Sequence, residues 1–386
     1  MKILAIDTSC DETSVAVSHN DSLKANIISS QIEFHTKWGG VVPLIAQRNH
    51  QEKIDIVIKK ALQVAKVNIE DIDIFAVTYG PGLAVALEVG IKKIKQLAKK
   101  HRKPVVAVDH MAGHLYANFA RNRNSVPLNP ILFTKDQSLV RKDIFPFLGL
   151  LISGGHTEII LIEDHLKFSK IGETLDDSIG EAFDKVANML GLGYPGGPII
   201  EELATQGDEH RFDLPIAMKN SNDLNFSYSG LKTAVLRVIK ELGTEAPRYD
   251  PQEKEGIPEP SLCIPNLYQP TLSKKPIYKL NKQDILDVAA SFQCVAYKQL
   301  KNKLLKAIAR YKTEFVVIGG GVVANLYIRR KLRKTLGREG VRLIHPQNKK
   351  LVSDNAGMIA VSAYYQALDA QFVDIEELDR KPRLSL

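Results

Sequence analysis

Two segments of the chain share one pattern, and this repeat limits the folds that the sequence can adopt. The first, "ILAIDTSCDETSVAVS", spans residues 3–18, and the second, "LGLLISGGHTEIILIE", spans residues 148–163. Each has an apolar strand, a short polar turn and a second β-rich strand, which is typical of a β-hairpin. Because helical and strand patterns alternate after both copies, the sequence predicts a duplicated α/β core.

The turns of both hairpins consist of small residues, which let backbone N–H groups face an anion. A third turn lies in "EFVVIGGGVVANLYIRRKL", residues 314–332, where a β-branched strand ends at three glycines and an amphipathic helix begins. Ligands commonly bind where the carboxyl end of a strand meets a helix N-terminus. A tight turn without a ligand is the alternative. The small or polar residues of the two hairpin turns are Asp7, Thr8 and Ser9 in the first and Ser153, Gly154, Gly155, His156 and Thr157 in the second.

Composition sets wider limits on the chain. Its 386 residues, 44% of them hydrophobic, are enough for two domains or one large domain. The formal charge of +8 fits a polyanionic partner such as RNA, and equally a lysine-rich solvated surface. Cys10, Cys263 and Cys294 show no C-x-x-C spacing, which argues against a disulfide framework or a thiolate metal site.

The sequence also predicts a cytoplasmic location. "MKILAIDTS" begins a strand pattern at once, without the basic and apolar regions of a signal peptide. No uninterrupted apolar run reaches the length that a transmembrane helix needs. We therefore expect no membrane partner.

The segment "DHMAGHLYAN" places His110 and His114 four residues apart. On a helix they would lie on one face and could bind one metal ion. Met111 stands where the H-E-x-x-H motif has its glutamate base, which argues against a metalloprotease. Two partly buried histidines bonded to backbone carbonyls are the alternative. Gly113 indicates that another element approaches the backbone closely there.

Asp354, in "SDNAGM", stands where the apolar pattern of the last long helix begins. It could cap that helix. It could also be a third metal ligand beside the histidine pair. Two imidazoles and one carboxylate, with coordination positions left open, would form a catalytic rather than a structural metal site.

Taken together, these motifs resemble those of the tRNA N6-adenosine threonylcarbamoyltransferases, formerly described as O-sialoglycoprotein endopeptidases. The family belongs to the actin, hexokinase and 70-kilodalton heat-shock superfamily. The resemblance therefore implies an α/β, duplicated actin-like (ASKHA) fold, with a nucleotide and metal cleft between two lobes. The matching segments stand in the family's order over nearly the whole chain: "AIDTSCDETSVAV", "GGVVP", "YGPGL", "HMAGH", "LISGGHTEI", "GETLDDSIGEAFDKVANMLGLGYPGGP", "NFSYSGLKTAV", "GGGVVAN" and "SDNAGM".

The resemblance also implies where the lobes divide. Residues 1–107 with the C-terminal helix, 355–386, would form the first lobe, and residues 108–354 the second. The second lobe would carry insertions near 121–147 and 244–283. The latter contains seven of the chain's 18 prolines, which excludes a regular helix or central strand and predicts an extended surface excursion.

The implied metal ligands are His110, His114 and Asp354, which would bind one divalent ion per subunit, iron(II) as the first choice and zinc as the alternative. Asp184 would accept a hydrogen bond from a ribose hydroxyl or the threonine amine, or would pair with Lys185 or another neighbour on a helix surface. The implied donor-binding residues are Leu151, Ile152, Ser153, Gly154, Gly155, Asp184, Gly197 and Asn325.

Two of these assignments have a simple rationale, and one role stays open. Gly197 would let the backbone approach the ligand. Asn325 would contact polar ligand atoms, or merely lie in the first turn of the helix after the third glycine turn. No general base is identified. The candidates are Asp11, Glu12 and His156, each of which could equally be structural.

The reaction implied by the resemblance is the transfer of a threonylcarbamoyl group from threonylcarbamoyl-AMP to an adenosine of tRNA. The acceptor would be N6 of adenosine 37, next to the anticodon, in tRNAs that read ANN codons, and AMP would leave. The implied partners are tRNA, threonylcarbamoyl-AMP, an actin-like paralogous subunit and an ATPase subunit. The alternatives are a catalytically silent scaffold subunit, a metalloendopeptidase, and a sugar or acetate kinase, whose phosphoryl transfer needs an aspartate base and magnesium.

The chain departs from the family pattern at four positions. Leu44 and Ala112 stand where many members have glutamate. Val85 replaces a usual glycine, and Glu88 replaces an apolar residue. None of the four is an implied metal ligand. We expect them to change the surface around the site and the contacts with partner subunits.

Overall fold

The computed structural model describes residues 1–245 and 278–386, which form two five-stranded mixed sheets. The first sheet has the strand order β3-β2-β1-β4-β5, and the second has the order β12-β11-β6-β7-β8. The strands are β1 (Lys2–Asp7), β2 (Glu12–His19), β3 (Ser22–Ser30), β4 (Ile74–Gly80), β5 (Val105–Asp109), β6 (Phe147–Ile152), β7 (Thr157–Asp164), β8 (Lys167–Glu173), β9 (Thr244–Glu245), β10 (Tyr278–Lys279), β11 (Phe315–Gly319) and β12 (Arg342–Ile344).

The two sheets have the same topology, which confirms the predicted duplication. β1 pairs antiparallel with β2 and parallel with β4, and β6 pairs antiparallel with β7 and parallel with β11. A third antiparallel strand follows each hairpin, β3 in one sheet and β8 in the other. Both hairpin loops have four residues, 8–11 and 153–156. The duplicated actin-like α/β fold expected from the sequence is therefore present.

Helices cover both sheets and bury their apolar faces. α2 and α3 pack on one face of the first sheet, and α10 packs on the other. The helix α8 runs beneath the second sheet and contacts α6, α7 and α9. The helices of the described residues are α1 (Ile32–Thr36), α2 (Pro43–Ala65), α3 (Ala84–His101), α4 (His110–Tyr116), α5 (Ile179–Met189), α6 (Gly196–Ala204), α7 (Ser229–Leu242), α8 (Lys282–Tyr311), α9 (Leu326–Arg338) and α10 (Ala356–Leu368).

One hydrophobic core joins the two sheets. It contains residues of β1 and β5 from the first sheet, residues of β6 and β11 from the second, and the apolar sides of α4 and α10. Since α4 contacts β5 as well as β6 and β11, the division into lobes at residues 107 and 354 stays a prediction.

The two predicted insertions differ in how far the structure describes them. Residues 121–147 pack on the shared core through Leu132, Phe133 and Ile144, and Phe147 already belongs to β6. Of the second insertion, residues 246–277, with all seven prolines, lie outside the described residues. Its ends pair as the two-stranded ladder of β9 and β10, and residues 282–283 belong to α8.

No helix within residues 1–245 and 278–386 is both long enough and apolar enough to cross a membrane.

The close contact of α4 with α10 predicts the effect of a larger residue at position 113. A Cβ on Gly113 would lie 2.9 Å from Ile359 Cδ1 and 3.3 Å from Met358 Cγ. Because the added atoms of Gly113→Val overfill this contact, we expect the free energy of unfolding to fall by about 1–3 kcal/mol in urea denaturation. In the control Gly337→Ala, where nothing lies within 4 Å, helix propensity should raise stability slightly. Unchanged stability in Gly113→Val would contradict this packing.

Candidate metal centre and adjoining loops

The two histidines lie on a helix whose start is fixed by a carboxylate. β5 ends at Asp109, and α4 begins at the next residue. The Asp109 carboxylate accepts hydrogen bonds from the backbone N–H groups of Met111 and Ala112, at 2.7 and 3.0 Å. This N-cap starts the helix directly after the strand. His110 and His114 therefore lie one turn apart on one face, with ring centroids 4.7 Å apart.

Asp354 joins the histidine pair from a distant part of the chain. The N-cap of α10 is Asn355, whose side chain accepts a hydrogen bond from Met358 N at 3.1 Å. The capping role considered for Asp354 is therefore wrong. Instead, Asp354 Oδ1 lies 3.1 Å from His114 Nε2 and 3.3 Å from His110 Nε2.

The spacing of the three side chains fits a divalent metal ion. Two ligand atoms that each lie about 2.1 Å from one ion are about 3.0–3.4 Å apart at octahedral or tetrahedral angles. Both distances from Asp354 to the imidazoles fall in this interval. The donor atoms of all three residues lie within 4.8 Å of one another. A set of two imidazoles and one carboxylate leaves coordination positions for a substrate.

Asp7 belongs to this site, although the sequence patterns did not identify it as a site residue. It ends β1 and is fully buried, with Oδ1 3.8 Å from His110 Nδ1. A carboxylate beside the outer nitrogen commonly orients a metal-bound imidazole. The available signal was a carboxylate at the carboxyl end of an apolar strand, and the turn pattern assigned it only to an anion-facing loop.

In this cluster, neighbouring charges oppose the effect of burial on the pKa values of His110 and Asp354. Burial lowers the pKa of His110, but Asp354 and Asp7 outweigh it and hold that pKa well above its ordinary value. The pKa of His114 is lowered, and burial is the largest cause. Burial raises the pKa of Asp354, but the two histidines together bring it well below its usual range. An ion that binds here must therefore displace a proton from His110.

The second hairpin loop lies on the N-terminal end of α5. Gly180 N donates to Ser153 O at 3.2 Å, and Ser178 Oγ donates to Gly154 O at 2.7 Å. A Cβ on Gly180 would lie 2.5 Å from Ser153 O, so only glycine allows this approach. Gly154 and Gly155 are exposed, with no atom within 4 Å of a Cβ placed on either. The loop is therefore anchored to the N-terminal end of α5, while its two glycines stay exposed.

The structure divides the other predicted donor-binding residues into two groups. The side chains of Leu151 and Ile152 are fully buried in the core, so only their backbone can face a ligand. Asp184 and Gly197 lie beside one another, because Asp184 Oδ1 accepts a hydrogen bond from Gly196 N at 2.7 Å. Burial raises the pKa of Asp184 to about 6, against the lowering effect of the N–H groups of Gly196 and Gly197. The alternative pairing with Lys185 is wrong, since that lysine binds other carboxylates.

Asn325 has a structural role in this conformation. Its side chain caps α9, with Oδ1 accepting from Ile328 N at 2.9 Å. Its Nδ2 donates to Gln293 Oε1 at 2.8 Å. The structure therefore places Asn325 at the start of the helix, as the simpler alternative predicted, with both ends of the amide engaged.

Both hairpin loops approach the histidine cluster. Burial, together with the charges of the two histidines of α4, lowers the pKa of His156 to about 4. Burial raises the pKa of Glu12 to about 10, with Asp11 and Asp354 adding to the rise. At neutral pH His156 is therefore an uncharged imidazole, and Glu12 is a protonated carboxyl group.

His50 supports the first hairpin loop, which the sequence patterns did not predict. Its Nε2 donates to Cys10 O at 3.0 Å, and its Nδ1 accepts from Thr13 Oγ1 at 2.8 Å. Burial lowers the pKa of His50, which favours the neutral form that both bonds need. The only signal was a histidine on the buried face of a long helix.

Comparison with known proteins identifies close relatives of the chain. Residues 22–361 match the family model described as TsaD, tRNA N6-adenosine threonylcarbamoyltransferase. A protein of that name from Thermosipho melanesiensis is 42% identical over 364 residues, 94% of each chain. Another, from Thermodesulfovibrio yellowstonii, is 42% identical over 376 residues, 97% of each chain.

A solved structure supports the fold. The crystal structure of HypF from T. kodakarensis aligns with a TM-score of 0.58 and 12% sequence identity. The alignment covers 98% of this chain and 49% of the HypF chain, so the chain spans about half the length of that protein. At this identity the likeness bears on the fold alone.

The cluster predicts metal binding that depends on pH. In His114→Ala we expect bound divalent metal to fall from about one ion per chain to near none, measured by plasma mass spectrometry. Because His110 must lose a proton to bind an ion, the metal affinity of the parent chain should rise with pH through and above pH 6.5.

The control for this experiment is His101→Ala, at the C-terminal end of α3, which should keep its metal. Circular dichroism should show native helix content in both variants. Full metal content in a folded His114→Ala would remove the ligand assignment.

Proposed function

Because the chain belongs to the TsaD family of tRNA N6-adenosine threonylcarbamoyltransferases, we propose that the group transfer takes place beside His110, His114 and Asp354. The protein is a transferase that modifies N6 of adenosine in tRNA. The convergence of these three residues on one point, from two distant segments, is the observation that carries the proposed location.

The proposed metal ligands are His110, His114 and Asp354, and the Asp7 carboxylate faces Nδ1 of His110 at 3.8 Å. A Lewis acid for the carbamoyl carbonyl is the chemistry that a divalent ion supplies when bound there. Iron(II) is our first choice and zinc the alternative, since imidazole and carboxylate serve both.

We assign the binding of the adenylate donor, threonylcarbamoyl-AMP, to the second hairpin loop and its neighbours. The exposed Gly154 and Gly155 leave room for a phosphate next to the positive end of α5. Asp184 has a pKa of about 6, so it is mostly ionised at neutral pH and can accept from a ribose hydroxyl. Gly197 has open space above its backbone, and Asn325 would first have to release its cap.

Positioning should supply most of the rate enhancement. The aromatic N6 amine is a weak nucleophile, so its orientation against the carbonyl matters most. Protonated Glu12 has no capacity to accept a proton at neutral pH, and His156, with a pKa of about 4, is a weak acceptor. Of the two, only His156 is unprotonated at neutral pH and can therefore accept the proton that the amine loses.

Partner subunits and location remain proposals. We propose that an actin-like paralogous subunit and an ATPase subunit assemble with this chain. Phe34, Trp38 and Leu44 are 55%, 63% and 73% exposed close together in sequence, which supports a covering partner. Glu88, by contrast, pairs with Lys92 and Arg380 at 2.6 and 3.3 Å. A cytoplasmic location is the expectation for a protein that acts on tRNA.

The test is reconstitution of the reaction. The chain is incubated with unmodified tRNA, threonylcarbamoyl-AMP and the partner subunits, and the nucleosides are analysed by mass spectrometry. We expect threonylcarbamoyladenosine from the parent chain and at least a hundredfold less from His110→Ala, because the ligand set is then incomplete. His101→Ala serves as the matched control and should keep parent activity.

The outcomes separate the alternative functions. If the metal-loaded parent chain with its partners gave no product, the result would support the alternative that the chain is a catalytically silent scaffold subunit. Full activity in His110→Ala would show that the reaction does not take place at the cluster. Peptide cleavage that disappears in the same variant would support the metalloendopeptidase, which the family relationship does not favour.

A further inference from the structure

The helix α9 carries two opposed stripes of side chains. Its buried side contacts the core through Ile328, Leu332 and Leu336. On the other side, Arg330, Lys334 and Arg338 recur every fourth residue and are all exposed. A spacing of four residues places successive members about 6 Å apart along one face of a helix. We call these three residues the basic stripe.

No acidic side chain neutralises the basic stripe within the described residues. None of its three members forms an ion pair there, and the one ion pair of α9 joins Lys331 to Glu209 on another face. Neighbouring cations also act on each other, because Arg333 and Arg330, after burial, lower the pKa of Arg329. Like charges four residues apart destabilise a helix, so the described part of the chain by itself gains no stability from this arrangement.

The lysine-rich helix α3 gives the contrasting case. Lys92 pairs with Glu88, Lys93 with Asp55 and Lys99 with Glu376, at 2.6 to 2.8 Å. Those lysines belong to a balanced, solvated surface. The basic stripe of α9 has no such partner within the described residues and is available to an anion.

The basic stripe begins next to the candidate site. α9 starts at its cap Asn325, after a turn whose Gly319 would place a Cβ 2.7 Å from His114 O. From Asn325, the stripe covers about 8–20 Å along the helix. A hydrogen bond also joins α9 to the segment before Asp354: Arg333 donates to His345 Nε2 at 2.6 Å. That segment carries the exposed Lys349 and Lys350 and leads to Asp354.

We propose that the basic stripe binds the phosphate backbone of the substrate tRNA and so brings the target adenosine to the cleft. The inference rests on the transferase function, which requires an RNA longer than the reacting nucleotide. Arginine and lysine bind phosphate oxygens through charge-assisted hydrogen bonds, and two of the three members are arginines, which can bind in a bidentate manner. A row of cations on a convex helix fits a backbone rather than a base edge.

The test compares two double variants of the full chain. Arg330→Glu/Lys334→Glu removes two members of the stripe. Lys59→Glu/Lys60→Glu, at exposed positions of α2, changes the net charge by the same amount on the first sheet. Dissociation constants for unmodified tRNA are measured from 50 to 300 mM salt. Arg330→Lys/Lys334→Arg keeps both charges and serves as the conservative variant.

We expect the stripe variant to bind tRNA at least tenfold more weakly than the parent. The slope of log affinity against log salt should become shallower by about two, one for each lost phosphate contact. The α2 variant and the conservative variant should stay within about twofold of the parent. In the transfer assay, the KM for tRNA should rise in the stripe variant, while metal content and the KM for threonylcarbamoyl-AMP stay at parent values.

Two results would overturn the proposal. Parent-like tRNA affinity in the stripe variant would show that the RNA binds elsewhere. Equal weakening of tRNA binding in the stripe and α2 variants would show that the effect depends on net charge alone. Both results leave the proposed site intact, since failure of that site would appear in the parent chain as absence of product.

Discussion

The contact between α4 and α10 is the interaction on which the candidate site depends. α4 holds both histidines, and Asp354 directly precedes Asn355, the N-cap of α10, 240 residues further along the chain than His114. Gly113 lets the two helices approach until a Cβ would touch Ile359. If this contact widened by the size of a methyl group, the carboxylate would lie too far from the imidazoles to share one ion.

Duplication gave the two halves the same backbone and different chemistry. The first hairpin contributes Asp7, which lies beside His110, and Glu12, whose carboxyl group interacts with Asp354. The corresponding loop after β6 contributes the open glycines beside α5. One hairpin thus places the carboxylate of Asp7 where a cation fits, and its copy exposes backbone where an anion fits.

Three buried polar atoms of the site are costly to the stability of the folded chain. Asp7 and both histidines are buried, and Oδ2 of Asp7 and Nδ1 of each histidine lack hydrogen-bond partners within the described residues. Buried polar atoms without partners lower stability. A site that maintains them against this cost is organised for binding rather than for the stability of the empty chain.

Much of the fold and part of the site could be predicted from the sequence, because local patterns set them. Alternation and turn residues gave both hairpins, the strand before the third glycine turn and the helix after it, and the spacing of His110 and His114 gave their common face. Only the tertiary structure decided that Asn355 rather than Asp354 caps α10, that Asp7 lies beside His110, and that Asn325 is engaged in a cap. The position of Asp7 beside His110 depends on a distance between segments far apart in sequence, which no local period encodes. The two caps are contacts with the residue three positions on, and the structure shows which polar residue makes each of them. The surfaces that the fold brings together likewise decide that lysines of α3 have acidic partners and that the basic stripe of α9 has none within the described residues.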